Sequence, residues 1–161
     1  MSAPPRLTEA VRQDIRRSVL CWLATVDAAG QPNVSPKEVF CAQGEEAILI
    51  ADIASPGSVS NIRGNPQVCV SFIDVFRQKG WKVAGAATII GRDEAGFEAI
   101  GRELIAMAGP SFPVRHVIRL TPQRISRILA PSYAIFPDRT EEERMAEIYR
   151  LYGVRPIGGE D

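Results

Sequence analysis

Residues 19–37 read VLCWLATVDAAGQPNVSPK, and this stretch contains the signals that decide the fold. Val19 to Val26 is a dense apolar run with β-branched and aromatic residues, and the segment from Asp27 to Gln31 has the composition of a turn. Pro32 to Phe40 follows as a second extended segment. Its two prolines cannot donate to a β-ladder, so we predict an edge or bulged strand. Together the two segments predict a β-hairpin.

Further strand signals follow this hairpin at regular intervals. Apolar or alternating runs predict strands over residues 47–53, 67–75 and 82–90 and one or two strands over residues 115–129. Several short strands with hairpin signals favour an antiparallel barrel over a parallel sheet. We therefore predict a mainly β protein, a β-barrel with peripheral helices.

Four segments carry helix signals. A spacing of apolar residues predicts an N-terminal helix over residues 8–18, with Thr8 as a plausible cap. A short helix is predicted after Ser55-Pro56 and ends at Asn65-Pro66, and another is predicted over residues 94–107. The C-terminal helix, residues 140–152, begins with a capping box formed by Thr140 and Glu143.

The composition excludes several classes of protein. The chain has 161 residues, with 19 Lys+Arg against 19 Asp+Glu, which predicts one domain spanning residues 1–161. A formal charge of zero argues against binding to nucleic acid or to a membrane by bulk electrostatics. No signal-peptide core precedes Arg17, and three cysteines without metal-type spacing suggest buried free thiols. We therefore expect a cytoplasmic protein.

Hydrolytic and metal chemistry find little support in the sequence. His116 is the only histidine, and no nucleophile or carboxylate lies near it in the chain, so we interpret it as a partly buried structural residue. One histidine and scattered cysteines supply no ligand cluster, and we predict no metal site. Rossmann GxGxxG and Walker GxxxxGK[ST] motifs are absent. No catalytic side chain can be assigned.

The first candidate binding motif is Ser55-Pro56-Gly57-Ser58 at the start of the short helix. A helix N-terminus offers unpaired N–H groups and a positive dipole end, which together suit a phosphate. Gly57 would let an anion approach the backbone, and the hydroxyls of Ser55 and Ser58 could add hydrogen bonds. The alternative is that Ser55 only caps its own helix.

The second candidate is the pair Ser35 and Lys37, which lie two residues apart on a predicted strand and so share one face. A hydroxyl and an ammonium presented together could meet a polar ligand, and Lys82 on a later strand is a similar candidate. The alternative is an ordinary solvated edge strand.

Three segments together resemble the pyridoxamine 5'-phosphate oxidase-like FMN-binding split-barrel family. They are Leu23 to Lys37, Ile50 to Val68 with its Asn61-Ile62-Arg63-Gly64-Asn65-Pro66 run, and Lys82 to Ala87. The resemblance implies a six-stranded antiparallel split barrel of Greek-key type. It also implies a homodimer with the FMN sites at the subunit interface.

The resemblance also implies roles for individual residues. Ser35 and Lys37 would border the flavin ring and ribityl chain, and Asp52 with the Ser55 to Ser58 segment would follow the ribityl-phosphate path. Asn61 would face the phosphate side, and Lys82 would approach the cofactor from a neighbouring strand.

One position departs from the family pattern. The vitamin-B6 oxidase has an Arg-Lys pair where this chain has Gly57-Ser58, so another cation would have to meet the phosphate. Four basic residues are candidates for that role: Lys37, Arg63, Lys79 and Lys82.

These implications favour an FMN-binding oxidoreductase that acts on a small-molecule substrate. Two alternatives stay open: a non-catalytic flavin-binding or electron-carrier protein, which could also hold a deazaflavin or haem, and a dimeric module without a cofactor. The donor, the acceptor and the substrate cannot be read from the sequence.

Overall fold

A computed structural model describes residues 5–157, and its centre is one sheet of seven antiparallel strands in the order β2-β1-β5-β6-β7-β4-β3. The strands are β1 Cys21–Val26, β2 Pro32–Lys37, β3 Phe40–Gln43, β4 Ala47–Asp52, β5 Gln67–Asp74, β6 Lys79–Gly91 and β7 His116–Leu129. The predicted hairpin is confirmed, since Cys21 to Val26 pair with Lys37 to Pro32.

The two edge strands of the sheet, β2 and β3, are consecutive in the chain. Only Glu38 and Val39 separate them, a link that spans at most roughly 11 Å. The sheet must therefore curl until its edges approach each other, which produces a half-barrel. The predicted antiparallel split barrel is confirmed.

The strand count differs from the predicted six. Pro32 to Phe40 is not one segment, because the chain leaves β1 after Lys37 and pairs with β4 from Phe40 onward. The segment predicted as one or two strands is the single 14-residue strand β7, which pairs with both β6 and β4.

Within residues 5–157, five helices surround the sheet: α1 Glu9–Arg17, α2 Pro56–Gly64, α3 Phe97–Ala108, α4 Ser132–Ile135 and α5 Glu141–Tyr152. The Thr8 hydroxyl accepts from the Val11 N–H, and both halves of the Thr140–Glu143 capping box are formed. These local signals confirm the predicted starts of α1 and α5. The four-residue helix α4 was not predicted.

The concave face of the sheet forms the main core. Leu23, Val70 and Val83, which lie side by side on β1, β5 and β6, are fully buried, and α1 adds Val11 and Ile15. Burial of each such side chain is worth about 1.5–3 kcal/mol.

The convex face is covered on one half only. Over β4 and β7, Phe97 and Leu104 of α3 pack with Leu49 and Val117 in a second buried cluster. We call this the covered half.

Over β2, β1, β5 and β6 the convex face carries Trp22 and Val34, which are 44% and 55% exposed. Small side chains lie between them on the same face: Ala24, Cys69, Ser71, Ala84 and Ala86. Neither buried cluster formed by residues 5–157 includes any of these side chains. We call this the bare half.

Helices α4 and α5 pack near the turn between β5 and β6. Glu141 accepts from Arg77 and Lys79, and the rings of Phe76 and Tyr149 lie 4.9 Å apart. The Arg144 guanidinium, buried over the Tyr133 ring, donates to carbonyls of the α4 segment. The C-terminal helix is therefore fixed by charge and by aromatic contacts.

All three cysteines are free thiols, as predicted, but only Cys21 and Cys41 are buried, whereas Cys69 is half-buried. Burial raises the pKa of both the Cys21 and the Cys41 thiol to about 12. Across residues 5–157, no helix combines the length and the apolar character that crossing a bilayer requires.

Candidate functional site

Strand β2 and helix α2 meet at a contact between two serines. The Ser35 Oγ lies 3.2 Å from the Ser58 Oγ, and the Asn33 side-chain amide donates to Ser35 at 3.3 Å. Ser58 is buried. The two candidate motifs, treated separately in the sequence, therefore form one cluster in the fold.

Lys37 lies on the same face of β2 as Ser35, where it pairs with Cys21. It is only 5% exposed, and its ammonium makes no hydrogen bond or ion pair with any other residue in 5–157. Burial lowers the pKa of Lys37, because the charged form loses its hydration. The charge of the Asp52 carboxylate opposes this shift without forming an ion pair with Lys37, so an anionic ligand here would give the ammonium a direct partner.

Asp52, at the end of β4, is buried and already engaged on both oxygens. Its Oδ1 accepts the Ser55 N–H at 2.9 Å, and its Oδ2 lies 2.8 Å from the Nδ1 of His116. The pairing of β4 with β7 sets these two side chains opposite each other. No carboxylate lies near His116 in the sequence, and it is the strand register that brings Asp52 to it.

The start of α2 is open to a ligand. Ser55 is the N-cap residue, but its side chain makes no capping hydrogen bond, so the alternative that it only caps its helix is wrong. Pro56 occupies the first turn, and a Cβ added at Gly57 would meet open space. The Ser55 hydroxyl and the first-turn backbone are therefore available as donors.

Asn61 and Lys82 do not belong to the cluster formed by Ser35 and Ser58. Asn61 donates to the buried Thr25 hydroxyl at 3.0 Å and so ties α2 to β1. Lys82 is exposed on the convex face of β6, where it pairs with Ser71 and Ser126. Within a single chain it lies on the opposite face of the sheet from Ser35. The cofactor-binding roles of both residues stay predictions.

Two of the four cations considered for the phosphate, Lys79 and Lys82, do not lie beside the Ser35–Ser58 contact. Lys79 pairs with Glu141, and Lys82 lies on the opposite face of the sheet from Ser35. Arg63, in the last turn of α2, instead lines a groove with Arg115 and His116. Sequence reasoning missed Arg115, and no local pattern reveals it, because only the β4–β7 register places it beside α2.

A half-barrel with a polar cluster where β2, β4 and α2 meet defines the split-barrel class of proteins. The family model described as pyridoxamine 5'-phosphate oxidase matches residues 7–128. The chain belongs to that family. No curated protein sequence matches the chain.

Several solved structures share the fold of this chain. HupZ from Group A Streptococcus is 26% identical with a TM-score of 0.66, and the match covers 76% of this chain and 94% of HupZ. An FMN-binding protein from Syntrophomonas wolfei is 17% identical with a TM-score of 0.66 over 77% of this chain and 87% of that protein. An F420 reductase is 22% identical with a TM-score of 0.53 over 74% and 98% of the two chains.

Proposed function

We propose that this chain binds FMN and is an FMN-dependent oxidoreductase that acts on a small-molecule substrate. Membership of the pyridoxamine 5'-phosphate oxidase family supports the cofactor class. The observation that carries the proposal is Lys37, a lysine only 5% exposed whose ammonium forms no hydrogen bond or ion pair within residues 5–157, beside the Ser35–Ser58 contact.

The geometry of the cluster fits a flavin nucleotide. Lys37 would offer its charge to the N1–O2 edge of the ring, which becomes anionic on reduction. Ser35 and Ser58 would hydrogen-bond the ribityl chain, and the open first turn of α2 beside Gly57 would face the phosphate side. The protein's part is to bind and orient, and bound flavin would supply the redox chemistry.

We also propose that the protein is a homodimer, with the cofactor site at the subunit interface. The bare half supports this, because Trp22 and Val34 are large apolar side chains left exposed on a convex face whose other side chains are small. A second copy packed there would bury them. It would also bring Lys82, which lies on that face, toward the partner subunit's cofactor.

FMN titration, followed by desalting and an absorption spectrum, tests the cofactor. We expect flavin bands to stay with the wild-type protein and Lys37→Met to weaken FMN affinity by about tenfold or more, because it removes a charged contact. Arg150→Gln, an exposed cation on α5, serves as the control and should leave the affinity unchanged. Equal affinities for wild type and Lys37→Met would contradict the Lys37 assignment.

Two further measurements distinguish the oxidoreductase from a flavin carrier and from a module without a cofactor. Reduction of bound flavin by NAD(P)H or another donor, followed by reoxidation with turnover, would support the oxidoreductase, and binding without turnover would leave a flavin carrier. The deazaflavin F420 is titrated in parallel. A protein that takes up neither FMN nor F420 would overturn the proposal in favour of the cofactor-free module.

A further inference from the structure

A groove of about 240 Å³ lies between α2 and the start of β7. Pro56, Val59 and Arg63 line it from α2 and Arg115 and His116 from the β7 side. Helical spacing places Val59 and Arg63 on one side of α2, whereas Ser58 lies on a neighbouring side that contacts β2. The groove is therefore next to the Ser35–Ser58 contact but is a separate surface.

The groove carries uncompensated positive charge. Neither Arg63 nor Arg115 forms an ion pair or a side-chain hydrogen bond within residues 5–157, and both are exposed. The only carboxylate in the lining is Asp52, and its oxygens are already engaged by the Ser55 N–H and by His116. Two guanidinium groups thus line one concavity with no anion of their own.

His116, one of the residues that line this groove, is held in a fixed orientation by Asp52. Because the Asp52 carboxylate can only accept, the proton on the near side of the ring belongs to Nδ1. The Nε2 atom is then the one that can exchange a hydrogen bond with a ligand, and the ring is a quarter exposed. The backbone N–H of Arg115 also donates to the Asp52 carbonyl at 2.8 Å, which ties the two elements together.

We propose that this groove is a phosphate-binding site in which Arg63, Arg115 and His116 hold the phosphate group of a bound ligand. Guanidinium groups match phosphate oxygens in bidentate geometry, and the uncapped Ser55 hydroxyl supplies a further donor at the same groove. The cations lost at Gly57-Ser58, relative to the family pattern, would thus be replaced from the other side of α2.

The phosphate could be that of the flavin itself or that of a phosphorylated substrate. The first source rests on the proposed function, whereas phosphate binding by the groove does not. The experiment is designed so that the two can fail separately.

The first measurement uses the single histidine of the chain. In protein without a His-tag, the imidazole NMR signals belong to His116 alone, and we titrate them with inorganic phosphate at constant pH and ionic strength. We expect a saturable shift in the wild type and none in Arg63→Gln/Arg115→Gln. The control Arg17→Gln/Arg102→Gln removes two exposed arginines from α1 and α3 and should keep the wild-type response. An unresponsive His116, or an equal response in the groove variant, overturns the proposal.

The second measurement identifies the source of the phosphate. If it is the flavin's own, Arg63→Gln/Arg115→Gln should weaken FMN affinity about 10- to 100-fold and leave riboflavin affinity within about twofold. If it is a substrate's, FMN affinity should stay unchanged, and the His116 shift should still titrate with inorganic phosphate in FMN-saturated protein. A protein that responds to phosphate but binds no flavin supports the groove and contradicts the proposed function.

Discussion

The covered and bare halves of the sheet share one concave core but differ on their convex faces. Over β4 and β7, α3 buries Leu49 and Val117, whereas over β1 and β2 the side chains of Trp22 and Val34 stay exposed. The same strand alternation underlies both halves. The difference shows that a sheet face can be apolar either to hold the chain's own helix or to meet another molecule.

The two halves bear on different properties: the covered half on the stability of the single chain, and the bare half on its assembly with a second molecule. A side chain under α3 contributes to folding of the single chain, because its burial is complete without any partner. A side chain on the bare half gains most of its burial only when a second molecule covers it. Substitutions in the two halves should therefore produce different kinds of defect.

The largest effect is expected in the covered half. Leu104→Ala removes a fully buried side chain of α3 and should lower the free energy of unfolding by about 2–5 kcal/mol. Val34→Ala on the bare half should change the stability of the isolated monomer by less than about 0.5 kcal/mol. Urea unfolding at low protein concentration checks both, and similar losses for the two variants would contradict the contrast.

A second prediction concerns assembly. Ala84→Arg places a long cation in the middle of the bare half, and we expect it to convert the proposed dimer into a folded monomer. Light scattering measures the mass, and circular dichroism confirms the fold. The matched control, Ala106→Arg on the exposed side of α3, should remain dimeric. A dimeric Ala84→Arg protein would show that the bare half is not the interface.

The smallest effect is expected in the alkylation of the cysteines in the two halves. Burial raises the pKa of Cys41 in the covered half to about 12, so at pH 8 almost none of it is thiolate and iodoacetamide should not react with it. Cys69 is half-buried on the bare half and should be alkylated first. Mass spectrometry locates the label. Slower labelling of Cys69 at high protein concentration would support the bare half as an interface, and labelling of Cys41 before Cys69 would contradict the contrast between the two halves.

Local patterns were enough to predict most elements of the fold. The turn from Asp27 to Gln31 and the capping box at Thr140 act over a few residues, so a single sequence reveals them. The division between β2 and β3 could not be predicted in this way. It depends on which strand each half of the segment pairs with, and those partners lie far apart in the sheet.

The same distinction between local patterns and distant strand pairing applies to the residues of the candidate site. Ser35, Lys37 and Ser58 were predicted from motifs within one or two elements, and the fold brings two of them into contact. The bond between Asp52 and His116 joins residues 64 positions apart and follows from strand register alone. Pairing between distant strands is a property of the whole sheet, which no single segment encodes.

The double pairing of β7 has a consequence for how the chain acquires its structure during synthesis. When residues up to 115 have emerged from the ribosome, strands β1, β2, β5 and β6 can assemble, but the β3–β4 hairpin still has no neighbour in the sheet. Only β7 joins the two parts, through contacts of high sequence separation that slow folding. Until that strand leaves the ribosome, the edge of β4 that pairs with β7 stays open to chaperones.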